Sequence, residues 1–120
     1  MRVQVSQGVK RIVRVTGEVD YSNVGELDSA LDEVIGECPE GFVIDLSETT
    51  YMDSGGVQAI LSAYVRVTGR GGRLSLVLQT PNIKEILALI HPEQFHGLHI
   101  SDDIAFAERA IGECEGSNQA

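Results

Sequence analysis

One junction constrains this chain more than any other. The apolar run Phe42-Val43-Ile44-Asp45-Leu46 leads, through Tyr51-Met52-Asp53-Ser54-Gly55-Gly56, into Val57, Ile60, Leu61, Tyr64, Val65 and Thr68 at helical spacing. A run interrupted by polar residues only at Asp45 reads as a strand covered on at least one face. The spacing that follows reads as an amphipathic helix. The junction therefore presents one serine at a strand-to-helix turn, beside the free backbone N–H groups of a helix start. Whether that hydroxyl attacks a substrate or is itself modified decides the function.

The rest of the chain repeats the strand-to-helix theme. Val3 and Val5, then Ile12, Val13 and Val15, flank Gln7-Gly8-Val9-Lys10 and predict an N-terminal hairpin whose second strand ends at Gly17. Asp20-Tyr21-Ser22-Asn23 is turn and cap chemistry before a helix with Val24, Leu27, Leu31, Val34 and Ile35 on one face. Gly36 and Pro39 stop that helix. Gly69-Arg70-Gly71-Gly72 ends the helix after the junction; it lacks the lysine and following helix of a phosphate-binding loop. Leu74, Leu76 and Leu78 alternate as a strand, and Thr80-Pro81 opens a helix carrying Ile83, Ile86, Leu87 and Ile90. After His91-Pro92 come a short strand at Leu98 and Ile100 and a last helix, capped at Ser101-Asp102, through Ile104, Ala107 and Ile111. The expected fold is one α/β domain over residues 1–112. Its mixed, mostly parallel sheet has about five strands with an antiparallel N-terminal edge, packed with about four helices. Residues 113–120 are polar and expected to fray.

Composition narrows the function classes. With 120 residues, 42% hydrophobic and 22% charged, the chain can bury a real core. A net charge of −9 argues against a nucleic-acid backbone or an anionic membrane surface as the main partner. No apolar run approaches the ~20 residues of a spanning helix, and no signal-peptide region follows Met1, so a cytoplasmic location is expected. Cys38 and Cys114 lack metal-ligand spacing; free thiols are the expectation, with a bond between them left open by the sequence. His91, His96 and His99 have loose spacing and only Glu93 as a nearby carboxylate, so they read as solvated loop residues rather than metal ligands. No cofactor is expected.

Three roles compete for Ser54. A nucleophile needs a general base oriented by a third group. Met52-Asp53-Ser54-Gly55-Gly56 superficially resembles the G-D-S-G-G of trypsin-like proteases, but those are double β-barrels about twice this length. The nucleophile-elbow pattern G-x-S-x-G also fails at Met52. A small serine hydrolase is thus the weakest reading, and the chain is expected not to be an enzyme. A purely structural role makes Asp53 or Ser54 the helix N-cap, yet two glycines in the first turn cost helix propensity that a cap alone does not require. The third role is a phosphorylation site.

That third role rests on a resemblance. Asp45-Leu46-Ser47, then Tyr51-Met52-Asp53-Ser54-Gly55-Gly56-Val57 and Ile60-Leu61, resembles the signature of STAS domains of the anti-sigma factor antagonist type. Gly17-Glu18-Val19-Asp20, Gly71-Gly72-Arg73-Leu74-Ser75-Leu76 and Pro81-Asn82-Ile83 match the same family in the same order. The resemblance implies a non-enzymatic switch in which Ser54 is phosphorylated by an anti-sigma factor that is also a serine kinase. The unphosphorylated form would bind that kinase, and a phosphoserine phosphatase would reset it. Asp20, Tyr21, Ser22, Asp53, Gly55 and Gly56 would form the partner-binding face. Within the family, a non-switching scaffold or an accessory subunit of a lipid transporter is the alternative. The chain departs from the family pattern at Gly55, where a Ser or Thr is usual, and in the segment His91–Leu98.

Overall fold

A computed structural model describes residues 1–114. Five strands, β1 (Arg2–Val5), β2 (Ile12–Val19), β3 (Gly41–Met52), β4 (Arg73–Val77) and β5 (Leu98–Ser101), form one sheet in the order β1-β2-β3-β4-β5. β1 runs antiparallel to β2 and every other pair is parallel. Four helices, α1 (Val24–Glu37), α2 (Ser54–Thr68), α3 (Pro81–Ala88) and α4 (Ile104–Arg109), with a 3-10 turn at Pro92–Gln94, complete the fold expected from the sequence.

Strand order follows chain order from β2 to β5. Right-handed crossovers that always step the same way place every crossover helix on one face. The larger core bears this out: Leu27 and Leu31 of α1, Ile60 and Val67 of α2, and Ile83 and Leu87 of α3 pack with Phe42, Ile44 and Leu46 of β3. The alternate β3 residue Val43 points to the other face, where it meets Val77, Ala107 and Ile111 beneath α4. Residues 41–46 are thus buried on both sides.

Several local expectations are corrected. β3 extends to Met52 rather than ending at Leu46, because β2 runs beside it past Gly17 to Val19. The two strands tolerate register shifts between Arg14 and Thr16 and between Gly17 and Glu18, and Gly17 adopts φ 94°, a conformation suited to such a bulge. Thr80 holds the N-cap position of α3, but its hydroxyl donates to the Thr49 carbonyl at 3.0 Å instead of capping. α4 is capped by Asp103, whose carboxylate accepts from Ala105 N at 2.9 Å, not by Ser101 or Asp102.

The largest correction concerns the cysteines. Cys38 and Cys114 are joined by a disulfide and both are fully buried. They lie 76 residues apart, a separation that carries no contact signal in a single sequence. Cys114 was expected within the fraying segment, yet its backbone N–H also donates to Val9 O. Residues 115–120 of that expected tail lie outside the described residues. No described helix is long and apolar enough to cross a membrane.

Candidate functional site

β2 and β3 stay paired to their ends, with Val19 opposite Met52, and Asp53 N continues the ladder by donating to Val19 O at 3.1 Å. Side-by-side strand ends bring the loop after β2, Asp20-Tyr21-Ser22, against the start of α2, although 33 positions separate Asp20 from Asp53. This pairing builds the site.

Asp53 is the N-cap of α2. Its Oδ1 accepts from Gly55 N at 2.9 Å and Gly56 N at 3.3 Å, satisfying two free donors of the first turn. Its Oδ2 accepts from Tyr21 N at 3.0 Å, tying the two loops together. Of the two capping candidates read from the sequence, Asp53 takes the structural task and releases Ser54. Ser54 is the first residue of α2, exposed, and its hydroxyl makes no hydrogen bond among the described residues.

The two glycines serve different ends. A Cβ on Gly56 would sit 2.5 Å from Met52 Cγ and 3.0 Å from Val19 Cγ1, so α2 can approach the sheet only because that atom is missing. A Cβ on Gly55 would lie 3.1 Å from Asp53 Oδ1 and 3.9 Å from Val24 Cγ1, a tight but accommodating position. Gly56 is therefore a packing residue, while Gly55 keeps the space beside the cap open.

The neighbouring loop is ordered by its own bonds. Asp20 Oδ1 accepts from Ser22 N at 2.9 Å and from the Ser22 hydroxyl, while Asn23 Oδ1 accepts from Asp20 N at 3.0 Å. The Ser22 hydroxyl first, and then the Ser22 N–H, hold the Asp20 carboxyl below the ordinary aspartate value. Tyr21, with nothing to bury it, is 87% exposed.

A feature absent from the sequence reading extends the site. Between α1 and α2 runs a groove of about 550 Å³, floored by Gly55 and Ala59 and opening at Tyr21. Its walls are Val24, Asp28 and Asp32 on α1 and Gln58, Ser62 and Arg66 on α2, and Asp32 pairs with Arg66 at its far end. Each wall is an i, i+4, i+8 ladder, the one signal that could have revealed it in the sequence.

The histidines do not converge on Ser54. His99 pairs with Ser75 in the sheet, and Ser75 pairs with Val43, nine residues before Met52 on β3. At strand rise that is about 30 Å from the junction. The His96 carbonyl accepts from the Tyr64 hydroxyl, ten residues along α2 from Ser54 or about 15 Å. His91 faces Glu93 across 3.4 Å on an exposed turn. Phe95 stacks on Tyr64 at 5.2 Å between ring centres, so this segment is anchored to the far end of α2. No group of three or more metal-ligating side chains is present among the described residues.

Asp45, the first residue of the D-L-S match, is structural. It is 3% exposed, accepts from Ser47 N at 3.0 Å and pairs with Arg14 Nε at 3.1 Å.

Comparison with known proteins identifies the fold and the family. The model of the STAS domain family matches residues 1–107. An anti-sigma F factor antagonist of Paenibacillus polymyxa is 31% identical over 78 residues, covering 63% of this chain and 66% of the relative, just under two thirds of its length. Among solved structures, an anti-sigma factor antagonist from Mycobacterium paratuberculosis superposes with a TM-score of 0.80 at 22% identity, covering 92% of each chain. The Bacillus cell fate determinant SpoIIAA in its phosphorylated form does so with a TM-score of 0.69 at 17% identity, covering 90% of this chain and 98% of that one. The family signature, its order along the chain and the five-stranded sheet it builds coincide, and the chain belongs to the STAS domain family.

Proposed function

We propose that this protein is an anti-sigma factor antagonist, a cytoplasmic switch whose phospho-acceptor is Ser54. The observation that carries the reading is the division of labour at the start of α2: Asp53 satisfies the helix cap and leaves Ser54 exposed with an unbonded hydroxyl. The unphosphorylated face of Asp20, Tyr21, Ser22 and the Asp53–Gly55 turn binds an anti-sigma factor with serine kinase activity, and Gly56, expected on that face, lies buried behind it. Phosphorylation releases it, and a phosphoserine phosphatase restores binding. The name of the Paenibacillus relative supports the class of partner.

Electrostatics gives the release its direction. A phosphate adds about −1.5 to −2 charge, and a helix N-terminus tolerates it. The fold is retained and the partner feels the change. A partner carboxylate ~4 Å from the phosphate meets about 4 kcal/mol of repulsion at a surface-like dielectric. Half of that weakens binding roughly thirtyfold.

The test is to incubate the protein with ATP and a kinase encoded beside it, locate the modification by mass spectrometry, and measure kinase affinity of Ser54→Ala and Ser54→Asp. Phosphate on Ser54, with Ala binding and Asp weakened, is expected. Equal affinity of the two variants overturns electrostatic release. No phosphate on Ser54 turns the reading to a non-switching STAS scaffold.

A further inference from the structure

The second face of the sheet is thinly covered. α4 has six residues, too few to persist as a helix without tertiary support; it buries Ala107 and half-buries Ile104 against Val43 and Val77, joined by Ile111 just past its end. One side-chain bond, Ser75 Oγ to Ala107 O at 2.8 Å, pins its middle. The segment after it is fastened at three points: Lys10 Nζ donates to Ile111 O at 2.6 Å, Cys114 N donates to Val9 O at 2.5 Å, and Cys114 is bonded to Cys38 at the end of α1. The first two fastenings reach only the hairpin turn at Val9 and Lys10, of which Val9 is exposed. The disulfide ties the segment to the end of α1, a helix of the opposite face.

We propose that the Cys38–Cys114 disulfide is a redox latch, whose opening frees α4 and the segment to Cys114 from the sheet. Loop-closure entropy gives the latch its force, since the bond holds together residues 76 positions apart. Its chemistry is thiol–disulfide exchange with a dithiol. A thiolate of the dithiol attacks one cysteine sulfur, the Cys–Cys bond breaks, and a mixed disulfide forms. The dithiol's second thiol then displaces that cysteine. The dithiol ends as a disulfide, and Cys38 and Cys114 end as two thiols, having taken up two electrons and two protons. Both cysteines are fully buried, so exchange waits on local opening of the 112–114 segment. In a thiol-rich compartment such a bond is opened and closed rather than kept. Release uncovers Val43, Val77 and the half-buried Ile12 as an apolar strip. Cys38 lies before the first residue of β3 and Ser54 beyond its last, up to about 40 Å apart along the strand, so the latch acts independently of the Ser54 face.

Hydrogen exchange read by mass spectrometry tests this on the full chain, purified without reductant. The oxidised protein is compared with the same protein reduced by dithiothreitol and with a variant carrying both Cys38→Ser and Cys114→Ser. The expected result is a loss of protection of at least about tenfold over residues 104–111 in both forms that lack the disulfide, with residues 54–68 changed by less than about twofold. Three results overturn the latch: equal protection of 104–111 in all forms, an equal loss through 54–68 that marks global loosening, or alkylation of both cysteines in the unreduced, denatured protein.

Discussion

The carboxylate of Asp53 accepts the backbone N–H of Tyr21 at 3.0 Å while its other oxygen caps α2. One side chain thus serves two loops, and it fixes the exposed Ser54 relative to the exposed Tyr21. Asp53→Ala is expected to cost about 1–2 kcal/mol from the cap. It also leaves Tyr21 N without its acceptor. Asp53→Asn recovers only part, because an amide that keeps its oxygen on Gly55 and Gly56 turns its NH2 toward the Tyr21 donor. Urea unfolding of the three proteins checks this; full recovery by Asn contradicts the double role.

The adjacent glycines are expected to respond differently. Gly56→Ala drives a Cβ into Met52 and Val19 and is expected to destabilise by about 1–3 kcal/mol. Gly55→Ala is crowded only by the Asp53 oxygen, its other neighbours being at ordinary contact distance, and it gains helix propensity, so its effect is expected to stay within about 1 kcal/mol of zero. Thermal unfolding distinguishes them, and a larger loss at Gly55 reverses the assignment.

Asp20 is expected to titrate below the ordinary aspartate value, and Ser22→Ala to raise its midpoint by removing the hydroxyl bond that contributes most. The sign follows from linkage. A depressed folded pKa contributes stability above the unfolded value, and that contribution disappears as pH falls through the folded pKa. Carboxyl carbon NMR of the two proteins between pH 2 and 6 measures both midpoints; coincident curves count against the Ser22 bond.

Arg14 is half exposed but its partner Asp45 is not. Arg14→Ala therefore strands a buried carboxylate and is expected to cost about 1–3 kcal/mol, more than a surface ion pair. Adding Asp45→Asn, which keeps the bond from Ser47 N, is expected to return part of the loss. Chemical denaturation of the single and double variants gives the coupling. Additive losses contradict it.

Tyr21 buries almost nothing in the free protein. If it anchors the kinase, Tyr21→Ala changes stability by less than about 0.5 kcal/mol but weakens binding by 2 kcal/mol or about thirtyfold. Calorimetric titration of the unphosphorylated variant against the kinase decides this; unchanged affinity removes Tyr21 from the interface.

The local grammar of the chain determined most of the fold. Apolar runs, helical spacings and turn residues placed each strand and helix, and the order of strand-to-helix units implied a mostly parallel sheet with an antiparallel N-terminal edge. The signature around Ser54 singled out the candidate site, because a strand feeding a helix leaves free N–H groups at a known position. Tertiary structure decided what depends on distance. It made Asp53 the cap and tie, since only the paired ends of β2 and β3 bring Tyr21 N within reach. It separated Gly56 from Gly55 by what each faces across the sheet and groove. It dispersed the three histidines, and it joined Cys38 to Cys114. Contacts of this kind arise from the return of the chain on itself, which leaves no periodic trace in sequence. The hydroxyl was legible; what holds it in place was not.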